Sequence, residues 1–323
     1  MEHINQNLKK LAFIGVVVLC LNICLANTNP LTDKSKHIYH PQTRDELINL
    51  VSNRSIKLET IDTSEVTDMS YLFALSKRED FSGIETWDVS NVTDMHKMFE
   101  SAEYFNQPLD SWDVSKVTDM NNMFYKATSF NQPLDKWNVS NVKDMSSMFA
   151  EAKSFNQPLD KWNVSKVANM HGVFSGAESF NQSLESWDVS NVKDMYGMFS
   201  DAKSFNQPLD SWDVGKVERM GFMFSGAQSF NQPLNKWDVS NVTMMGGMFW
   251  GATSFNQPLD SWNVSNVEDM EEMFSGTKSF NQNLDSWNVN KEARMGYKMF
   301  KDSPLESKPP KWYKKWRDKV RIW

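Results

Sequence analysis

Cysteine is almost missing from this chain of 323 residues: there are two, Cys20 and Cys24. Both fall in an N-terminal segment that reads as a leader, so no disulfide framework or thiol chemistry is expected of the remainder. Histidine is scarce too, at five, and no nucleophile elbow or other motif surrounds the Ser, His and Asp present, so the reading is of a protein that is not an enzyme. Gly at 13 and Pro at 11 are too few for a collagen-like or linker-like chain. Basic charge is not in excess: 34 Lys and Arg face 41 Asp and Glu, for a net charge of −7. That excludes a general polycation for nucleic acid. What is abundant is apolar and aromatic: 40% hydrophobic residues, with 13 Trp, 21 Phe and 20 Met. A disordered chain of low hydrophobicity would not carry them.

Residues 1–26 read as a signal peptide. Lys9 and Lys10 precede an apolar run from Leu11 to Leu21, and small Ala26 follows. The run is interrupted by Asn22 and falls short of the ~20 residues that a bilayer span needs, which weighs against the alternative of a retained anchor. Leu19 and Ile23 precede the two cysteines, so simple cleavage is favoured over lipid attachment. The expectation is an exported protein, secreted or at the cell surface, with the periplasm as the remaining destination.

The composition has a periodic cause. Tryptophan recurs at 87, 112, 137, 162, 187, 212, 237, 262 and 287, every 25 residues, and Phe105 to Phe280 and Met95 to Met295 keep the same step. A fixed period of this kind signals a stacked array. Within one unit Met120, Met123, Phe124 and Ala127 lie at i, i+3, i+4 and i+7, the stripe of a two-turn helix. Asp119 at its start suits the helix dipole, and Gly176, Gly226, Gly251 and Gly276 suit its end. Trp112 and Val114 alternate with Asp113 as in a short strand. The fold class expected is therefore an α/β solenoid, a leucine-rich-repeat-like curved stack of 25-residue strand–helix coils, because packed helices need ~8–10 Å and strands only ~4.8 Å. The unbroken column Asn106, Asn131, Asn156, Asn181, Asn206, Asn231, Asn256 and Asn281 reads as an amide ladder for turn backbone groups.

The units W-D-V-S-N-V-T-D-M…M-F…A…F-N-Q-P-L-D resemble those of the BspA-type leucine-rich-repeat-like bacterial surface proteins, from about Ile38 to Lys315. The lead-in Tyr39-His40-Pro41, the segment Asp80–Glu85 and the exit Pro309–Lys314 share in the resemblance. It implies secreted or surface-displayed proteins, some of which bind host extracellular or cell-surface components. It carries no catalytic motif to these positions.

Four segments result: 1–26, the leader; 27–86, an N-terminal cap and degenerate first repeat; 87–300, the regular repeats; 301–323, a basic C-terminal cap. Residues 42–53 read as a helix and Ile56–Ile61 as a strand. An extra residue within Met295–Phe300 predicts a slip of register. Acidic residues outnumber basic ones 37 to 24 between 27 and 300, whereas from 301 onward basic ones lead 8 to 3. Trp312, Trp316 and Trp323 share one face if 311–323 is helical. They read as a cover for the last coil, the alternative being peripheral contact with an anionic membrane surface.

His96 and His171 read as solvated surface. The column Asp110, Asp135, Asp160, Glu185, Asp210, Asn235, Asp260 and Asp285 reads as a solvated acidic face rather than a calcium ladder: no calcium-loop motif is present, Asn138, Asn163 and Asn263 dilute the neighbouring column, and Lys136, Lys161 and Lys236 lie between the two. No catalytic, cofactor or metal residues are named. The function expected is a non-catalytic binding or adhesion module for an extracellular protein or glycan, the alternative being a passive coat or spacer. Three consecutive units break the small, polar habit of their columns with Tyr196, Phe222, Met244 and Trp250, which form the candidate contact patch.

Overall fold

The computed structural model describes residues 36–320. The segment read as a leader and Trp323 lie outside them. Helix α1, Arg44–Ser52, sits inside the expected 42–53. Thr43 caps it by accepting from the Glu46 amide, and the Glu46 carboxylate reaches back to the Gln42 amide at 2.7 Å, a near-complete capping box. Leu47 and Val51 are its buried face. Helix α2, Lys311–Val320, closes the other end. The expected strand at Ile56–Ile61 is instead a single 3-10 turn, Leu58–Thr60, followed by one parallel bridge between Ile61 and Tyr39.

Between these ends the expected strand–helix coil is overturned. Apart from α1 and α2 the described residues hold only single 3-10 turns and isolated bridges, with no sheet. The chain is therefore not an α/β solenoid of the leucine-rich-repeat type. The segment read as a helix shows why. Met120, Asn122, Phe124 and Lys126 donate their amides to Asp144, Ser146, Met148 and Ala150 of the next coil, at 2.8–3.1 Å. The alternate amides of Met123, Tyr125 and Ala127 close back on Met120, Asn122 and Phe124. An α-helix would keep every amide for its own i−4 carbonyl and leave none to join the coils. The alternation needs a left-handed residue at two points, Asn122 at φ 54° and Lys126 at φ 57°. Such residues do not occur within a right-handed helix.

The sequence signal for this was the spacing of the glycines. Gly172 with Gly176, and Gly247 with Gly251, stand four apart, both at positive φ; one C-cap per helix would need only one of each pair. The apolar stripe itself is correct: Met120, Met123, Phe124 and Ala127 are all fully buried. The W-D-V alternation also has another cause. Trp112 and Val114 point inward, while Asp113 accepts from the Ser115 amide at 3.0 Å and makes a turn. Parallel bridges run instead down one column, from Asp68 through Asp94, Asp119 and Asp144 to Arg294. With no helices in the coil, the spacing mismatch that implied curvature disappears.

Successive coils bring like side chains together. Ring centroids are 5.6 Å apart for Phe99 and Phe124, 6.0 Å for Phe155 and Phe180, and 6.4 Å for Trp162 and Trp187. Each buried indole donates to a carbonyl of the previous coil, as Trp137 does to Leu109 at 2.8 Å. The asparagine ladder is present as expected. The Asn131 amide donates to Asn106 Oδ1, and Asn156 to Asn131, both at 2.9 Å, and so on to Asn281. Glutamine side chains add a second bond, such as Gln157 Nε2 to Asn131 Oδ1 at 3.0 Å.

The ends are sealed by exceptions to the repeat. Arg78 donates to the carbonyls of Asn53, Ile56 and Asp80, tying the segment before the first full unit to α1. Phe81 takes a place beside Phe105, at 5.0 Å between ring centroids. The register slip is present: the Phe274 amide reaches Met299, where Phe249 reaches Met273. Trp312 continues the tryptophan column, stacked on Trp287 at 6.2 Å and donating to Leu284 at 2.8 Å. Tyr313 is buried, its hydroxyl donating to Gly296, and burial pushes its pKa up to about 12.

Trp187 has an indole that is 3% exposed, stacked on Trp162 and bonded to the Leu159 carbonyl at 2.9 Å. Trp187→Ala is expected to cost roughly 3–5 kcal/mol. Trp187→Phe keeps a ring but strands that carbonyl, and costs about 1–3 kcal/mol. Urea unfolding of the two variants measures both; a midpoint that hardly moves would place Trp187 outside the core.

Candidate functional site

The outer surface consists of columns of like side chains, and the chain relieves their charge locally. Where the residue before Trp is lysine it crosses to the previous coil's carboxylate: Lys136 to Asp110 at 2.5 Å, Lys161 to Asp135 at 2.7 Å, Lys236 to Asp210 at 2.5 Å. The Lys161 hydrogen bond lowers the Asp135 pKa, and the Asp110 bond raises that of Lys136. Where the residue is serine, its hydroxyl donates to the previous coil's backbone, as Ser186 does to Asp160 at 2.5 Å.

The bridge column behaves differently at its two ends. In the second half Asn169 donates to Asp144 at 3.0 Å, Arg219 pairs with Asp194 at 2.9 Å and Arg294 lies 3.7 Å from Asp269. In the first half Asp68, Asp94, Asp119 and Asp144 follow one another, with His96 against Asp94 at 2.7 Å. Asp94, His96 and Asp119 bring their ligand atoms within 4.8 Å of one another, a grouping that spacing along the sequence did not single out. Partial burial raises the Asp119 pKa, and the charges of Asp94 and Asp144 add to the effect.

The two repeat histidines are not solvated surface. Both are half-buried: His96 meets the Tyr71 ring edge-on at 4.8 Å, and His171 stacks on Tyr196 at 5.2 Å and 6°. Tyr196 in turn meets Phe222 at 5.6 Å and takes the Arg219 guanidinium over its ring at 5.5 Å. Two members of the candidate patch thus touch. Met244 lies half-buried on the bridge column between Arg219 and Asp269. Trp250 is 46% exposed and makes no ring contact among the described residues. At the C-terminus Trp312 and Trp316 pack against the core.

Glycines make room for the aromatic row. A Cβ on Gly221 would lie 2.9 Å from the Tyr196 ring, and one on Gly247 would lie 2.4 Å from Phe222. Phe222 itself is left-handed, at φ 56°, in the column where Gly172, Gly197 and Gly247 stand in other coils. A bulky residue held there costs on the order of 1–3 kcal/mol. Yet it is 37% exposed. The aromatic row also borders a groove of about 290 Å³, running from Tyr125 to Phe222 with Gly172 and Gly197 in its lining. Gly172 and Gly197 were the missed signal: only the structure shows which glycines have a ring against them and which do not.

The geometry defines a repeat protein in which each 25-residue coil is a run of turns, hydrogen-bonded to the coils on either side. The family model described as "Mycoplasma protein of unknown function, DUF285" matches this chain over residues 45–160, 132–234 and 208–312, and the chain belongs to that family. No curated protein matches it. Among the described residues no helix is long and apolar enough to cross a membrane.

Asp119 has a folded-state pKa above its unfolded value, so its charged form opposes folding, and its contribution improves as pH falls through the folded pKa. Asp119→Asn, which copies Asn169 of the same column, should stabilise the protein at neutral pH by roughly 0.2–1 kcal/mol. The gain should fade as the pH is lowered towards 4. A melting-temperature gain independent of pH would show that charge is not its cause.

The fit between Phe222 and Gly247 is measured by a double-mutant cycle. Gly247→Ala alone is expected to add about 1–3 kcal/mol of overlap with the ring to the roughly 1–2 kcal/mol of a left-handed alanine. In a Phe222→Gly background only the latter should remain. Equal penalties in both backgrounds would mean that the ring does not rest on Gly247.

Proposed function

We propose that this chain is a non-catalytic binding protein, exported by its leader and presented outside the cell. In this reading it contacts a protein or glycan partner through the face that carries Tyr196, Phe222, Met244 and Trp250. The resemblance of its units to BspA-type surface proteins agrees with this. The observation that carries the reading is Phe222: a large apolar side chain kept exposed in a left-handed position, beside a glycine that leaves space for it. Stability alone favours glycine at that φ, so contact with another molecule supplies the reason for phenylalanine. Trp250, exposed where the same column has Ser175, Ser200, Ser225 and Ser275, extends the same departure from the repeat. Aromatic side chains of this kind anchor interfaces.

The test returns each column to its habit with Trp250→Ser, Phe222→Gly and Met244→Asp. Binding of the native chain and of the triple variant is measured against extracellular-matrix proteins and surface glycans. The native chain should bind a member of the panel saturably, and the variant should melt no lower yet bind at least about tenfold more weakly. Unchanged binding by the variant would move the contact off this face. No saturable binding by the native chain across the panel would leave the passive coat as the better description.

A further inference from the structure

The groove beside the aromatic row crosses five successive coils, from Tyr125 through Glu151, His171 and Tyr196 to Phe222. It is open because two left-handed positions in it carry glycine. A Cβ on Gly172 would meet only Ser147 and Ser175, at 3.1 and 3.8 Å, and one on Gly197 only Ser200, at 3.9 Å. Gly221 and Gly247, by contrast, lie against rings. The left-handed backbone does not itself demand glycine here, since Asn122 and Ser147 hold the same place in the column at φ 54° and 53°.

Three observations narrow the occupant. The backbone has no amide to offer. Every N–H in 147–151, 172–176 and 197–201 is spent, alternately on the next coil and on the coil's own turn, as Ser147 on His171 and Ala150 on Ser147. An extended peptide therefore cannot add a strand here. The lining carries a carboxylate, Glu151, and no Lys or Arg, on a body where acidic residues outnumber basic ones; a polyanion is repelled. What remains for recognition is the hydroxyls of Ser147, Ser175 and Ser200, the His171 and Tyr196 side chains, and the apolar edges of their rings. The chemistry is that of a neutral, hydroxyl-rich ligand, and the length over five coils is that of an oligomer. We infer that this groove binds a neutral oligosaccharide, laid along the stack so that successive sugar rings meet successive coils. The inference rests on the binding-protein reading above and names its ligand class. The floor is held by the inter-coil bonds, so little ordering is left to offset binding.

Titration calorimetry of the full chain with neutral hexasaccharides of glucose, N-acetylglucosamine, mannose and galactose tests it, together with the corresponding disaccharides. One hexasaccharide should bind, its disaccharide at least about tenfold more weakly, and the affinity should not change as ionic strength is raised. Gly172→Asn with Gly197→Asn, for which Asn122 is the precedent, should fill the groove, keep the melting temperature and weaken binding by at least about tenfold. Ser175→Ala with Ser200→Ala, which follows Ala150 of the same column, removes hydroxyls without touching the left-handed positions. It should weaken binding too, and it decides the matter if the asparagine variant fails to fold. The inference is overturned if no hexasaccharide binds, or if one binds both variants as well as the native chain. A protein ligand bound saturably and indifferent to both variants would sink the glycan and leave the binding-protein reading standing. The absence of any ligand, protein or glycan, would sink both.

Discussion

Everything in this molecule depends on where alternate backbone amides go. In the segment after each bridge every second N–H is given to the next coil, and the remainder close short turns within the coil. Buried amides must be paired, and this arrangement pairs them while joining neighbour to neighbour over the whole array. Its cost is two left-handed residues per coil. The apolar columns follow from it, because coils locked in register bring Phe onto Phe and Trp onto Trp. Neither a lone coil nor a lone column would be stable, since each supplies the other's partners.

The same constraint shapes the outer surface. The left-handed position that holds Lys97, Asn122, Ser147, Gly172, Gly197, Phe222, Gly247 and Glu272 is fixed in conformation and free in identity. Glycine there leaves a hollow, and phenylalanine makes a ridge that settles over the glycine of the next coil. Relief can thus be written onto an unchanging scaffold one coil at a time. A regular array thereby carries a local surface shape without disturbing its core.

Repetition also stacks like charges, and the chain answers with alternation. Lysine and serine share the place before tryptophan, and asparagine and lysine share another, where Lys116, Lys166 and Lys216 each donate to the asparagine of the previous coil at 2.7–2.8 Å. The run Asp68–Asp94–Asp119–Asp144 is less relieved, with His96 against Asp94 and Asn169 against Asp144.

The period, the buried columns, the asparagine ladder, the N-terminal helix and the register slip at the end are all legible in the order of residues alone. Each is a matter of which residue types recur at which step, and burial and amide pairing leave them little freedom. The local backbone is not legible in that way. Met120, Met123, Phe124 and Ala127 fit a helix as well as they fit a run of turns, because both place the same side chains inward. The choice between the two rests on hydrogen bonds to residues 24 positions away, which no local period records. The candidate patch showed in the sequence only as departures from habit, at Tyr196, Phe222, Met244 and Trp250. Which of these meet, and which glycines stay open beside them, depends on the stacking of the coils, because the neighbours concerned belong to the adjacent ones.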